Sequence, residues 1–439
     1  MVRERLFLSD LIIKGGAVLS GSVKAPPSKA HTHRAIIAAS LSNGLSKIHN
    51  PLICDDTLAT INACRMLGAE IKKIDGLIEI LGRPKPETPS DVINCGESGS
   101  TIRFITPICA LADGISVLTG SESLRRRPMA PLLEALNQLG VKCYSTRMNG
   151  YPPIVVFGGG IKGGEVSIRG DISSQFISGL LFATPMAEND TYIVLSTPLE
   201  SKPYVDITLD FLNRHGIKAD FSKNVFHVYS GQKYRPCDHF IEGDFSSAAF
   251  LLAAASITNS HIRVENLLKD SLQGDKIIVK VLSEAGAHIR IGDDFVEVNG
   301  AEEQLNPINV DMRDNPDLVP VCAALACFSR DRSVIRGVRR LRYKESDRIM
   351  ALLSEFRKMG ADITFTDDCL IIDGGRDLHG AEIDPYGDHR IAMACALLAL
   401  NAGGETIIHD AKCINKSYPD FVRDMRLLGA EILERQFNR

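Results

Sequence analysis

Arg65-Met-Leu-Gly-Ala-Glu-Ile71 joins the end of a helical run to the start of a strand-like one through a single glycine, and the pattern returns five more times. The copies are Asn137-Gln-Leu-Gly-Val-Lys-Cys143, Asn213-Arg-His-Gly-Ile-Lys-Ala219, Ser283-Glu-Ala-Gly-Ala-His-Ile289, Arg357-Lys-Met-Gly-Ala-Asp-Ile363 and Arg426-Leu-Leu-Gly-Ala-Glu-Ile432. Their glycines, Gly68, Gly140, Gly216, Gly286, Gly360 and Gly429, are 69 to 76 residues apart, and each fits the left-handed position that ends a helix. Six copies account for essentially all 439 residues, so the chain is a repeat protein. Around the glycines the hydrophobic pattern alternates between strand and helix. One example is Ile115 to Thr119 (strand), Pro128 to Leu139 (helix) and Val141 to Ser145 (strand), which makes the class α/β. A second echo, Gly170-Asp-Ile-Ser-Ser174 and Gly243-Asp-Phe-Ser-Ser247, recurs at the repeat length. It places a changeover between two triplets of repeats near Phe240 to Gly243. A cleft between two similar lobes is the expected consequence.

Composition narrows the partners. With 44% hydrophobic and 24% charged residues the chain reads as a soluble globular protein of two or three domains. The most apolar stretches, Ala248 to Ile257 and Ile391 to Leu400, have about half the roughly 20 residues a membrane span requires, and read as buried helices. Met1 to Asp10 lacks the apolar core and small-residue cleavage site of a secretion signal, so a cytoplasmic setting is expected. Eleven cysteines without a Cys-x-x-Cys spacing argue against a zinc site or a disulfide framework and for reduced core residues. A net charge of −4 and the absence of tryptophan weigh against a nucleic-acid surface, so local basic clusters point to small anions.

Several such clusters precede apolar helices. Lys29 and Arg34 stand just before the run from Ala35 to Leu41, where a helix start favours anions; a solvated helix start is the alternative. Cys95-Gly-Glu-Ser-Gly-Ser-Thr-Ile-Arg103 is a glycine-rich turn that brings bare N–H groups close to a phosphate or merely caps a helix from Thr101. Arg125-Arg-Arg-Pro128 offers planar guanidinium grips, or a solvated charge run, before a helix whose first turn the proline holds. Ser173, Ser174 and Gln175 supply two hydroxyls and an amide, whereas capping alone needs one serine. Asn315-Pro-Asp317 reads as cap, first helical residue and first-turn carboxylate. Asp317 either complements the helix dipole or acts as a general base kept ionised by it. Lys344 and Arg348 are four apart and would share a helical face beside Glu345. Asp388 can cap the helix after Gly387-Asp-His-Arg390, and Lys416 adds a cation in a loop.

Taken in order, these segments together with Tyr151-Pro-Pro153 and Ser201-Lys-Pro-Tyr204 resemble the EPSP synthase (3-phosphoshikimate 1-carboxyvinyltransferase) family over almost the full length. The resemblance implies an inside-out α/β barrel in two domains, built from six βαβαββ-type repeats, three per domain, with ligands in the interdomain cleft. It also implies a second chain crossing that assigns residues 1–22 plus 241–439 to the C-terminal lobe and 23–240 to the N-terminal lobe. The implied reaction moves the enolpyruvyl group of phosphoenolpyruvate to the 5-hydroxyl of shikimate 3-phosphate by addition and elimination, on the pathway to chorismate and aromatic amino acids. No metal or organic cofactor is implied, and a monomer is expected.

By motif, Lys29, Ala30, Arg34, Ser173, Ser174, Gln175, Ser201, Asp317 and Lys344 are implied contacts of shikimate 3-phosphate. Lys29, Gly99, Arg127, Gln175, Arg348, Arg390 and Lys416 are implied contacts of phosphoenolpyruvate. Asp317 resembles the base that takes the hydroxyl proton, Glu345 the acid that protonates the methylene carbon, and Lys29 an assisting proton carrier. Two positions depart from the family: Ala30 replaces a serine, leaving open whether His31 or Thr32 substitutes, and Glu97 replaces the asparagine of many members. The alternatives are a UDP-N-acetylglucosamine enolpyruvyl transferase, whose Gly-Gly-Cys loop has no counterpart in Ser121 to Pro131, and a non-catalytic anion-binding protein, which predicts loss of Asp317 and Glu345. The two substrates bring on the order of five to six negative charges near neutral pH. Lys29, Arg34, Arg127, Lys344, Arg348, Arg390 and Lys416 can balance them.

Overall fold

The computed structural model describes residues 8–301 and 304–437; residues 1–7, part of the N-terminal segment expected to join the C-terminal lobe, lie outside them. All six marker glycines adopt positive φ, between 77° and 110°, immediately after a helix and before an outer strand. A side chain in that conformation would meet its own backbone carbonyl, which is why the same residue recurs there.

Among the described residues there are six four-stranded sheets of the same design, three built within one repeat and three completed by a strand from elsewhere in the chain. In one of them Ile93–Asn94 runs parallel to Ile115–Thr119, which pairs antiparallel with Ile154–Phe157, which in turn pairs antiparallel with Cys143–Ser145. The strand after the marker glycine is therefore at an edge, and the next strand returns to the middle. This closing strand completes the βαβαββ unit. Its helix Ala130–Gln138 begins after the expected point, with Pro131 rather than Pro128 in its first turn.

The chain divides into two compact units. One comprises the described residues up to Pro26 together with Gly243 onward, and the other runs from Pro27 to Glu242, so the divisions fall after residues 26 and 242 rather than 22 and 240. Strand pairing explains the crossing. Leu8–Lys14 lies between Glu405–Ile408 and Ile432–Phe437, with Leu11 opposite Ile408 and Ile13 opposite Ile432. Ser20–Lys24 runs parallel to His261–Glu265. In the other unit, His239–Phe240 pairs with Leu45–His49 and completes the first sheet from the far end of the segment.

Each unit keeps its most apolar helices inside. Phe245–Ile257, Val319–Cys327 and His389–Leu400 are buried along their whole length and touch one another pairwise, as the runs at Ala248 to Ile257 and Ile391 to Leu400 lead one to expect. Nine of the eleven cysteines are buried. Among the described residues no helix is long and apolar enough to cross a membrane.

The core of the Pro27–Glu242 unit also encloses two imidazoles. His215 Nδ1 lies 2.7 Å from the Arg235 carbonyl and therefore carries its proton there, so His215 Nε2 accepts from His239 Nε2 at 2.8 Å. That tautomer leaves the buried Nδ1 of His239 as an acceptor without a partner. Burial lowers the His215 pKa to about 4, aided by Arg214, and burial with His215 and Arg214 lowers that of His239 to about 3. Both favour the neutral form, so their contribution is complete above the unfolded value near 6.5 and is lost as pH falls through 4 to 3. Urea denaturation of this unit should therefore show stability falling from pH 7 to pH 5 by on the order of 1–2 kcal/mol per imidazole, and a His215→Leu/His239→Leu variant should show a shallower fall.

Candidate active site

In the unit that begins again at Gly243, the charged residues gather around Arg348. Its side chain is 1% exposed, and each nitrogen is spent: Nε on Asp388 Oδ2 at 2.8 Å, Nη1 on Asp317 Oδ1 at 2.8 Å, Nη2 on Glu345 Oε2 at 2.7 Å. Asp388, fully buried, also accepts from Ser346 Oγ at 3.1 Å and caps the helix His389–Leu400 through the Arg390 N–H at 2.9 Å. A guanidinium taken from water at this depth is tolerable only because these carboxylates meet every edge of it. Burial lowers the Arg348 pKa, but Asp388, Glu345 and Asp317 outweigh that and keep it charged.

Asp317 is shared. Lys344 Nζ reaches the same Oδ1 from 3.1 Å. Burial would raise the Asp317 pKa, yet the charges of Lys344, Arg348 and Arg390 hold it well below the carboxylate range. The source of its ionisation is thus a ring of side chains rather than the helix end expected from sequence. Asn315 does not cap either: its Nδ2 donates to Asp275 Oδ1 at 3.0 Å, and Pro316–Leu318 forms a short 3-10 turn ahead of Val319–Cys327. Burial and the neighbouring Asp317 raise the pKa of Asp275.

Lys344 and Arg348 do not share a helical face. Arg339–Tyr343 is a 3-10 segment, Lys344 is extended, and the helix starts only at Arg348, capped by Asp347. The two cations meet because both turn to Asp317. Arg390 is buried, with Nη1 on the Ser246 carbonyl at 2.8 Å and Nε without a protein partner. Lys416 Nζ donates to the Gly387 carbonyl at 2.6 Å.

In the Pro27–Glu242 unit, Lys29 and Arg34 lie inside the helix Lys29–Ser40 rather than before it, because Ser28 is the cap. Lys29 Nζ pairs with Asp56 Oδ2 at 2.9 Å. Arg34 is buried and ties its helix to the neighbouring helix Lys202–Arg214: Nε to Thr208 Oγ1 at 2.8 Å, Nη1 to the Ala30 carbonyl at 2.9 Å, Nη2 to the Tyr204 carbonyl at 2.7 Å. Burial lowers its pKa to about 10. Ser201 holds a left-handed φ of 56° at the start of Lys202–Arg214, a strained position of the kind that clusters at functional sites.

The glycine-rich helix Gly99–Cys109 begins before Thr101, with Ser98 as cap. Gly99 packs against guanidinium groups: a Cβ there would stand 2.9 Å from Arg127 Nη1 and 3.4 Å from Arg103 Nη1. Of the three clustered arginines only Arg127 is buried; Arg125 binds the Gly120 carbonyl and Arg126 pairs with Glu122 at the surface. Gln175 joins these elements, accepting from Arg103 Nη1 at 2.6 Å and donating to Ser100 Oγ at 2.8 Å. Ser173 caps the helix Ser174–Ala183. At the Ala30 departure neither neighbour supplies the lost hydroxyl. Thr32 Oγ1 is buried between the Ser28 carbonyl and the Leu52 N–H, and His31 Nδ1 faces Ser28 Oγ.

The sequence motifs alone did not single out Asp56, Arg103, Ser100 or Asp275 as site residues. Ser100 and Arg103 lie inside the glycine-rich motif Cys95 to Arg103 and Asp56 in none of the motifs, and their partners are 27 to 75 residues away.

The model of the EPSP synthase (3-phosphoshikimate 1-carboxyvinyltransferase) family matches residues 13–425. The chain belongs to this family. It is 48% identical over 426 residues to a 3-phosphoshikimate 1-carboxyvinyltransferase of Methanocaldococcus jannaschii, covering 96% of this chain and 99% of that one. A 3-phosphoshikimate 1-carboxyvinyltransferase of Methanothermobacter thermautotrophicus is 44% identical with the same coverage. The solved EPSP synthase of Acinetobacter baumannii superposes with a TM-score of 0.82 at 27% identity, over 98% of this chain and 100% of that one. The six-repeat α/β architecture is thus a property of the family.

Because Asp388 is the fully buried partner of Arg348, Asp388→Asn should cost about 3 kcal/mol of stability. That is the low end for breaking a buried pair, since Arg348 keeps two other carboxylates. Chemical denaturation of the variant against the parent measures it.

Proposed function

We propose that the residues gathered in the two units act on one pair of ligands, phosphoenolpyruvate and shikimate 3-phosphate. The enzyme transfers the enolpyruvyl group to the 5-hydroxyl of shikimate 3-phosphate and releases phosphate, in the shikimate pathway to aromatic amino acids. The assignment of roles rests above all on one observation: Asp317 and Glu345 share the buried Arg348, with Lys344 on the same Asp317 oxygen.

In this reading Asp317 is the base. The cations that keep it ionised also keep it weakly basic, and incoming phosphate and carboxylate groups offset those cations and so strengthen it. Asp317 takes the hydroxyl proton as the oxygen bonds to the central carbon of phosphoenolpyruvate. Glu345 gives its proton to the methylene carbon. In the elimination a proton leaves that carbon for Glu345, the carbon–oxygen bond to phosphate breaks, and Lys29 assists at the departing oxygens. A substrate carboxylate that takes over the Arg348 nitrogen now facing Glu345 would weaken the hold of that cation on Glu345 and favour its protonated form.

Arg127, Arg348, Arg390 and Lys416, with Lys29, Gly99 and Gln175, are assigned to phosphoenolpyruvate. Arg34, Ser173, Ser174, Ser201 and Lys344, with Ala30 of the same helix, are assigned to shikimate 3-phosphate. The cations come from both units, so in this reading neutralising both ligands requires both. A cytoplasmic monomer without nucleic-acid or membrane partners belongs to the same reading, supported by the net charge of −4.

A phosphate-release assay should respond to shikimate 3-phosphate and not to UDP-N-acetylglucosamine as acceptor; the reverse preference would remove the assignment. Glu345→Gln is expected to lower turnover at least about a hundredfold while nearly preserving shikimate 3-phosphate binding, and unchanged turnover would take Glu345 out of the mechanism. Gly99→Ala displaces the Arg127 guanidinium by a few tenths of an ångström, so KM for phosphoenolpyruvate should rise with less change in KM for shikimate 3-phosphate.

A further inference from the structure

A carboxylate outside the reacting group is as deeply buried as Asp388. Glu355, on the inner face of the helix Arg348–Lys358, is 0% exposed and accepts from four donors. Ser354 Oγ and Tyr386 Oη meet Oε1 at 2.9 and 3.0 Å. Lys358 Nζ and the Asp384 backbone N–H meet Oε2 at 2.7 and 3.0 Å. Burial would raise its pKa, but these bonds hold it below the ordinary glutamate value.

Two of the four donors belong to one turn, and the turn is strained. Tyr386 has φ of 54° and Gly387 φ of 64°, consecutive left-handed residues of which the first carries a large side chain. A non-glycine residue in that conformation costs roughly 1–2 kcal/mol and needs external support. The turn's own bonds, Tyr386 N–H to Asp384 Oδ1 at 2.7 Å and Asp388 N–H to the Pro385 carbonyl at 2.9 Å, do not anchor it to the helix. Glu355 does, from both ends, through the Asp384 N–H and the Tyr386 hydroxyl.

Three cations depend on this strained pair and the residues just beyond it. The Gly387 carbonyl receives Lys416, Asp388 receives Arg348, and Asp388 caps the helix that begins with His389 and Arg390. We infer that Glu355 is a positioning residue for phosphoenolpyruvate binding, clamping the 384–388 turn so that Lys416, Arg348 and Arg390 are held in register. This inference rests on the assignment of those cations to phosphoenolpyruvate. Glu355 acts through the turn and touches none of the reacting atoms.

Glu355→Gln keeps the shape but exchanges two acceptor oxygens for one, so that an NH2 group faces donors. Tyr386→Phe removes the hydroxyl that reaches Glu355 Oε1 at 3.0 Å and Ser354 Oγ at 3.3 Å and leaves the carboxylate in place. Steady-state kinetics on the full chain should show KM for phosphoenolpyruvate rising about tenfold or more in Glu355→Gln and about two- to threefold in Tyr386→Phe. KM for shikimate 3-phosphate should stay within about twofold and kcat should change less than KM. A merely structural role predicts a lowered Tm with both KM values unchanged, and that result, or equal rises for both substrates, overturns the inference. If Glu355→Gln does not fold, Tyr386→Phe decides alone, and an unaltered KM for phosphoenolpyruvate in it is sufficient to overturn. Arg390→Ala and Lys416→Ala in the same assay separate the two levels. If they leave KM for phosphoenolpyruvate unchanged, the cation assignment has failed and the inference falls with it. If they raise it and the Glu355 and Tyr386 variants do not, only the inference fails.

Discussion

A single guanidinium, taken out of water and met on each of its nitrogens by a carboxylate, organises the chemistry of the unit that holds Arg348. Burying such a cation alone would cost several kcal/mol even after relaxation, so Asp388, Asp317 and Glu345 are constraints on the fold as much as components of a site. Each comes from a different element: a helix cap, a 3-10 turn, and the bend leading into the helix that Arg348 begins. Satisfying Arg348 therefore fixes the relative placement of these elements. It also leaves two of the three carboxylates, those of Asp317 and Glu345, only partly buried while the third is sealed in.

The Pro27–Glu242 unit handles its cations differently. Lys29 is paired with an acid, Asp56, whereas Arg34 is matched by neutral oxygens of Thr208, Ala30 and Tyr204. A cation held by neutral acceptors retains more of its field than one held by a carboxylate, so Arg34 contributes positive potential even though its nitrogens are occupied. Lys29, by contrast, is already paired with Asp56, so an anion proposed to bind it would have to compete with that carboxylate. The gain from binding is then the difference between two ion pairs rather than the whole of one.

Much of this was legible in the chain itself, and the pattern of what was not has a physical cause. The marker glycines reported the repeats because a left-handed residue after a helix is a local requirement that only a few residue types meet. Buried helices were visible for the same reason, their apolar character being continuous along the sequence. Local rules failed where a distant partner outbid them. Asn315 forgoes its cap for Asp275, 40 residues earlier, and Lys344 leaves the helical path to reach Asp317, 27 residues earlier. The membership of Leu8–Lys14 in the later sheet is likewise a matter of closure: the last repeat lacks its fourth strand, and only the beginning of the chain can supply it. Counting repeats assigns that strand to the first triplet, and the family resemblance was needed to place it.

The same logic explains why the site's supporting residues are harder to read than its principal ones. Residues that meet a ligand must be of fixed chemical type in a fixed order, and they stand out as motifs. Those that hold them need only the right acceptor at the right place in space, and Glu355 reads in sequence as one more acid on an amphipathic helix, three residues before a lysine. Its weight comes from geometry. A carboxylate with no exposure and four donors has traded all of its hydration for contacts, and two of those contacts end on a strained turn. Stability alone would be served as well by an apolar side chain of similar volume, which is often neutral or favourable in place of a buried charge. A charge retained at that depth, bound to the backbone that leads into Asp388, is better understood as holding a conformation that the turn's own residues would relax from.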